Sequence, residues 1–148
     1  MNSPSETTWI VDRAIALGFD LCGVVRAEKF PELELAKEWL ARGYAGEMKY
    51  LADERRANPQ SVMPGIRSVI VCALNYNSSQ PRSIDAPNQQ EAEPRAWISR
   101  YAWGQDYHEV LQQKLQSLAS SLPERFTEPQ ESRIYADTGP LHERVFAY

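Results

Sequence analysis

The sequence predicts an α/β fold of the α+β sandwich kind, a small mixed sheet flanked by helices, organised as one domain over residues 1–148. Three observations predict it. The run Ser68-Val69-Ile70-Val71-Cys72-Ala73-Leu74-Asn75-Tyr76 is nearly continuous in apolar residues, as expected of a strand covered on both faces. The N-terminal third changes its apolar spacing twice and reads as helix, strand, helix. Val110, Leu111, Leu115, Leu118 and Leu122 recur at helical spacing and give one long amphipathic face.

Each element has a local reason. Ser3-Pro4-Ser5-Glu6 reads as a capping box with proline in the first turn; Trp9, Ile10, Ala14 and Leu17 follow at near-helical spacing, and Gly18 ends the helix. Phe19 to Val25 is short and apolar with Gly23 inside it, which suits a buried strand approached closely by backbone or ligand. Pro31 opens a second helix whose packing stripe is expected at Leu35, Trp39 and Leu40, and Gly43 closes it. Gly43 to Leu51 is a glycine-punctuated loop running into a short helix that gathers Met48, Tyr50 and Leu51. Arg55, Arg56, Asn58 and Pro59 read by themselves as a solvated charge run ending in an Asn-Pro turn. Pro64-Gly65 turns the chain into the apolar strand.

Beyond that strand the composition changes. Residues 77–96 are rich in Ser, Pro, Gln, Asn and acids, with Pro81, Pro87 and Pro94 spread among them, and are expected to form a flexible loop. Trp97 to Gly104 is aromatic and β-leaning, Asp106-Tyr107-His108-Glu109 caps the long helix, and Pro123 and Pro129 bracket a loop. Arg133-Ile134-Tyr135-Ala136 is expected as a last strand, and Pro140 begins a helix whose Val145 and Phe146 call for a covering partner.

Composition limits the function classes. With 43% apolar and 24% charged residues over 148 positions, the chain can bury roughly two-thirds of its unfolded surface in one core. Its net charge of −4 argues against a broad basic face for wrapping nucleic acid. Cys22 and Cys72 are too few for a metal framework and read as buried reduced thiols. There is no basic segment followed by an apolar run at the N-terminus, and no apolar stretch near the ~20 residues that span a membrane, so a cytoplasmic location is expected.

Three stretches carry more polar and aromatic chemistry than a plain core needs: Met48 to Arg56, Arg100 to His108, and Tyr135 to Glu143. In the last, Tyr135-Ala136-Asp137-Thr138-Gly139-Pro140 sets an acid at a strand end, with glycine allowing close approach and proline starting a helix. Taken alone, Asp-Thr-Gly reads as a turn and helix cap before it reads as a catalytic acid, because Asp and Gly are turn residues. His108 in a first helical turn reads as a capping-region residue before it reads as a ligand, and neither it nor His142 has partners at metal-ligand spacing. Glycine-rich dinucleotide, phosphate-loop and nucleophile-elbow motifs are all missing. What is on offer is one acid, Asp137, with aromatic walls from Tyr101, Trp103 and Tyr107 and a few cations. Those parts suit a large flat ligand and one proton transfer.

In order and spacing these stretches resemble the N-terminal half of the epoxyqueuosine reductase family, which completes the queuosine base in tRNA. The resemblance runs through Gly18 to Val24, Gly46 to Leu51, Arg56-Ala57-Asn58-Pro59, Pro64 to Ile70, Ala73 to Tyr76, Arg100 to His108, and Asp137-Thr138-Gly139-Pro140-Leu141-His142-Glu143-Arg144. It implies a fold similar to the N-terminal domains of corrinoid-processing proteins and reductive dehalogenases, covering one face of a cobalamin. It implies Asp137 as proton donor to the opening epoxide, where a half-buried carboxyl with a raised pKa would serve. Arg56, Tyr101, Asp106 and His108 match positions that would face the corrinoid or substrate. The family's two four-iron four-sulfur clusters have no ligands in this chain, so the resemblance implies a cut-short N-terminal part, inactive alone, that takes electrons from a missing iron–sulfur domain and meets epoxyqueuosine-bearing tRNA through the missing region. A stand-alone corrinoid-binding module and an inactive remnant are the other two readings. Asn58 stands where the family is expected to carry Asp.

Overall fold

The computed structural model of the chain describes residues 5–82, 84 and 96–148. In order come α1 (Glu6–Ala16), β1 (Leu21–Arg26), α2 (Glu32–Ala41), α3 (Pro59–Val62), β2 (Ser68–Ala73), α4 (Tyr107–Ser121) and α5 (Glu143–Phe146). Single 3-10 turns stand at Lys49–Ala52, Glu54–Ala57, Arg100–Ala102 and Leu122–Glu124. Most of the expected loop, residue 83 and residues 85–95, lies outside the described residues, as do Ser3 and Pro4 of the expected capping box.

The α/β class and a small sheet packed with helices are as the sequence predicts, but the sheet expected to be mixed is antiparallel among the described residues, because the expected third strand does not join it. Among the described residues the sheet has two strands, antiparallel and paired in one register from Leu21 opposite Ala73 to Arg26 opposite Ser68. Alternation sends Cys22, Ile70 and Cys72 to one face, where they pack with Leu17, Leu111 and Leu115 against the buried Ala14, Phe19 and Leu118. That layer joins α1 and α4 to the sheet. The other face is more open, and Leu21 there is 69% exposed. β2 is therefore half-buried along its length, not covered on both faces as its apolar run predicts.

Capping fixes where the helices begin and stop. Ser5 caps α1, its hydroxyl accepting from the Thr8 amide at 3.1 Å, so the cap stands two residues after Ser3. At the other end Lys114 of α4 donates to the carbonyl oxygens of Leu17 at 2.7 Å and Gly18 at 3.2 Å, a cation on the negative end of the helix. Gly18 itself turns at φ +85°, and a side chain there would meet that lysine. Asn58 caps α3 through the Gln60 amide with Pro59 as the first helical residue, a task for which Asn and Asp are equally good.

Three expectations need correction. The buried anchor of α2 is Leu33 at 2% exposure, whereas Leu35 is 65% and Trp39 38% exposed. Leu33, Ala36 and Leu40 share the inward stripe, and Leu35 and Trp39 instead line a shallow groove of about 380 Å³ with Ala36, Leu40, Leu51 and His142. Arg133–Ala136 joins no ladder among the described residues; Arg133 reaches across to the Val62 carbonyl at 2.6 Å and ties the segment to α3 instead. Phe146 finds its cover within the chain, being 5% exposed and edge-on to Phe30 with ring centroids 5.5 Å apart.

Candidate functional site

The segment after Tyr135 makes a turn that few L-residues accept. Asp137 has φ +61°, alone among the described non-glycine residues in being positive. The Thr138 amide bonds back to the Ala136 carbonyl at 2.7 Å, so Asp137 is the central residue of a strained three-residue γ-turn. Asp tolerates this region better than most residues because its short polar side chain can bond locally. Gly139 is required for a different reason. A Cβ built there would lie 2.5 Å from Cγ of Tyr135, because the glycine is pressed onto that ring.

Two contacts hold Asp137. The Tyr107 hydroxyl, in the first turn of α4, donates to its Oδ2 at 2.7 Å. Its backbone N–H donates to Oε1 of Glu143 at 3.1 Å. Asp137 is exposed, in contrast to the half-buried carboxyl that the sequence leads one to expect, because it occupies the outer tip of the turn. The hydrogen bond to Asp137 pushes the Tyr107 phenol up to about 12, with desolvation and the carboxylate charge adding to it. Tyr107 is thus a neutral donor across the physiological range.

Aromatic rings run outward from that bond. Tyr107 meets Tyr101 edge to face at 5.7 Å, and Tyr101 meets Tyr76 in the same way at 6.4 Å. Tyr76 is 64% and Tyr101 51% exposed, so flat apolar surface faces solvent beside the acid. Trp103, also exposed, is fixed by its indole N–H to the Ile98 carbonyl at 2.9 Å. The run 97–104 that the sequence reads as β-leaning is a 3-10 turn at Arg100–Ala102 with extended flanks.

Asp106 and His108 are occupied with each other. Asp106 caps α4 by accepting from the His108 amide at 2.9 Å and bonds His108 Nδ1 at 2.8 Å. The amide bond, and then the ring bond, hold the Asp106 carboxyl below the usual range. The His108 ring stacks on Tyr107 at 4.0 Å. Both residues therefore brace the tyrosine that touches Asp137.

Arg56 arrives from the first polar stretch. Its Nε donates to the Tyr50 carbonyl at 3.1 Å and its guanidinium lies 5.3 Å from the centre of the Tyr50 ring. Its charge is felt by His142 and Glu143: desolvation and then Arg56 lower the His142 pKa, whereas desolvation raises that of Glu143 against the pull of the Asp137 amide and of Arg56. Two of the stretches singled out in the sequence thus meet at Asp137 through Tyr107, and the first acts on Glu143 through the charge of Arg56. Sequence reasoning gave Glu143 no role. The available signal was its place six residues after Asp137 and at the start of α5, where an acid is favoured.

Among the described residues no three His, Cys, Asp or Glu side chains group as metal ligands, and no helix is long and apolar enough to cross a membrane. Cys22 and Cys72 oppose each other across the ladder with sulfurs 3.7 Å apart; burial pushes both thiols up, Cys72 to about 12.

Comparison with known proteins identifies the family and the fold. The family described as "Epoxyqueuosine reductase QueG, DUF1730" matches residues 56–138, more than half of the chain. An epoxyqueuosine reductase of Gloeobacter violaceus (strain ATCC 29082 / PCC 7421) is 44% identical over 144 residues, covering 93% of this chain and 41% of the relative. A crystal structure of epoxyqueuosine reductase with an epoxyqueuosine-modified tRNA-Tyr stem loop superposes with TM-score 0.69 and 29% identity over 95% of this chain and 36% of that one. The Bacillus subtilis epoxyqueuosine reductase with its catalytic aspartate loop swung out of the active site gives TM-score 0.69 and 27% identity over the same shares. This chain, spanning about two-fifths of the length of such curated relatives, belongs to the epoxyqueuosine reductase family.

Proposed function

We propose that this chain is the N-terminal, cobalamin-covering domain of a tRNA epoxyqueuosine reductase, and that Asp137 is its proton donor. The observation that carries the reading is the Tyr107 hydroxyl bonded to Asp137 Oδ2 at 2.7 Å, which joins two of the separate polar stretches, with exposed tyrosines beside it. The activity by which the Gloeobacter relative is named and the catalytic aspartate loop of the Bacillus subtilis structure support the same reading.

The residues present fit a corrinoid. Tyr76 and Tyr101 offer flat apolar faces to a macrocycle, and Arg56, whose charge acts on Glu143, is a cation for the macrocycle's polar arms. Asp106 and His108 act there as a joined pair. They do not fit the family's iron–sulfur clusters, because two cysteines cannot supply them. Bound cobalamin would supply the electrons for carbon–oxygen cleavage. The chain's own part is the proton: opening an epoxide leaves negative charge on oxygen, and Asp137 delivers a proton to that oxygen as the bond breaks. Tyr107, whose hydroxyl donates to Oδ2 at 2.7 Å, would then stabilise the carboxylate left behind. Electrons come from an iron–sulfur domain, and the modified tRNA, seen as a stem loop in the related crystal structure, is the substrate.

The test joins this chain to the part of the Gloeobacter relative that it does not cover and follows loss of epoxyqueuosine from tRNA, with cobalamin binding read by absorbance. Asp137→Asn is expected to lower turnover by about 100-fold or more while changing cobalamin affinity by less than about twofold. Native turnover in Asp137→Asn overturns the donor role, and failure of the unsubstituted chain to bind cobalamin overturns the cofactor.

A further inference from the structure

The Asp137 turn lacks any support from regular secondary structure, yet it holds a backbone angle that most residues avoid. Something must keep it there. Tyr107 holds the side chain, but a bond at Oδ2 leaves the backbone free to relax. The backbone is closed by the Thr138 N–H on the Ala136 carbonyl and tied to the rest of the molecule by Glu143, whose Oε1 accepts the Asp137 N–H at 3.1 Å from six residues away. Glu143 is a fixed arm, since it is the first residue of α5 and α5 is anchored by buried Phe146 against Phe30. Arg56 and the Asp137 carboxyl are the charged groups that act on that carboxylate.

We propose that Glu143 is a positioning residue, which by accepting the Asp137 N–H holds the γ-turn in the form that presents the Asp137 carboxyl to Tyr107 and to substrate. Its consequence for turnover rests on Asp137 being the proton donor; the conformational statement is independent of that. The carboxylate works as an acceptor placed by α5, so an amide of the same shape should replace it and a methyl group should not.

The experiment measures amide hydrogen exchange of the ¹⁵N-labelled chain by NMR. In Glu143→Ala the Asp137 amide should exchange about tenfold faster, whereas the amides of Cys22 and Cys72 keep their native rates. Glu143→Gln should stay within about threefold of native, as expected if acceptance of the hydrogen bond is what matters. If Glu143→Ala loses strand protection, Glu143→Asp replaces it, since its arm is shorter by about 1.5 Å. Unchanged Asp137 exchange with intact strands overturns the proposal, and so does Gln exchanging as fast as Ala. In the joined reductase, Glu143→Ala should lower kcat with KM nearly unchanged and Glu143→Gln should restore it. Native turnover in Asp137→Asn together with faster Asp137 exchange in Glu143→Ala would refute the donor and uphold the positioning contact.

Discussion

At the scale of single residues, the site turns on one hydrogen bond whose protonation behaviour can be measured. The Tyr107 phenol is raised from the ordinary value of 10.0 to about 12 by its bond to the Asp137 carboxylate. A raised phenol pKa means that the bond's contribution is complete below about pH 10 and is lost as pH rises through about 12. Absorbance titration at the tyrosinate band should therefore show one of the seven tyrosines ionising near pH 12. In Asp137→Asn that late step should merge with the others; a wild-type curve without a late step would refute the bond. Asp137 was legible as a candidate because an acid, a threonine, a glycine and a proline stand together after an apolar run. Its exposure and positive φ were not. Both arise from where α4 and α5 place Tyr107 and Glu143, and sequence distance, 30 residues in one direction and six in the other, carries no trace of that.

At the scale of elements, local chemistry predicted what local chemistry decides. The stop at Gly18, the Asp106 cap and the apolar face of α4 are set within one turn of the chain, and each stands where the sequence reads it. The two strands that pair were legible too, whereas Arg133–Ala136 reads as a strand and joins no ladder among the described residues; burial depends on what covers a face, so β2 reads as doubly buried and is half-buried. Helix α2 is the sharper case. Its residues allow two apolar stripes, one through Leu35 and Trp39 and one through Leu33, Ala36 and Leu40, and only packing chooses between them. The choice has a measurable consequence. Leu33→Ala removes a side chain that is 2% exposed and should cost about 2–5 kcal/mol in urea unfolding, whereas Leu35→Ala, at 65% exposure, should cost less than about 0.5 kcal/mol. Equal costs would mean that the helix is rotated from the position described.

For the whole molecule, the balance of charge and aromatic surface separates what this chain can bind by itself from what it cannot. Twenty acidic residues against sixteen basic ones leave a net charge of −4, and Lys37, Arg13, Arg42 and Arg55 are engaged with Glu34, Glu124, Glu38 and Asp53. Binding to a polyanion draws on the release of counterions by clustered cations, roughly one per phosphate neutralised. Arg56 and Arg100 beside the aromatic rim are also occupied, on the Tyr50 carbonyl and on the Ser78 and Gln80 carbonyls. The chain alone should therefore show no saturable binding of an anticodon stem loop in fluorescence anisotropy at physiological salt, although the related crystal structure holds one. Fusion to the part of the Gloeobacter relative that this chain does not cover should create that affinity, with a steep decline as salt rises. Tight binding by the isolated chain, with the same salt slope, would instead place the tRNA contacts on this domain and would require the Arg56 and Arg100 side chains to leave their present partners.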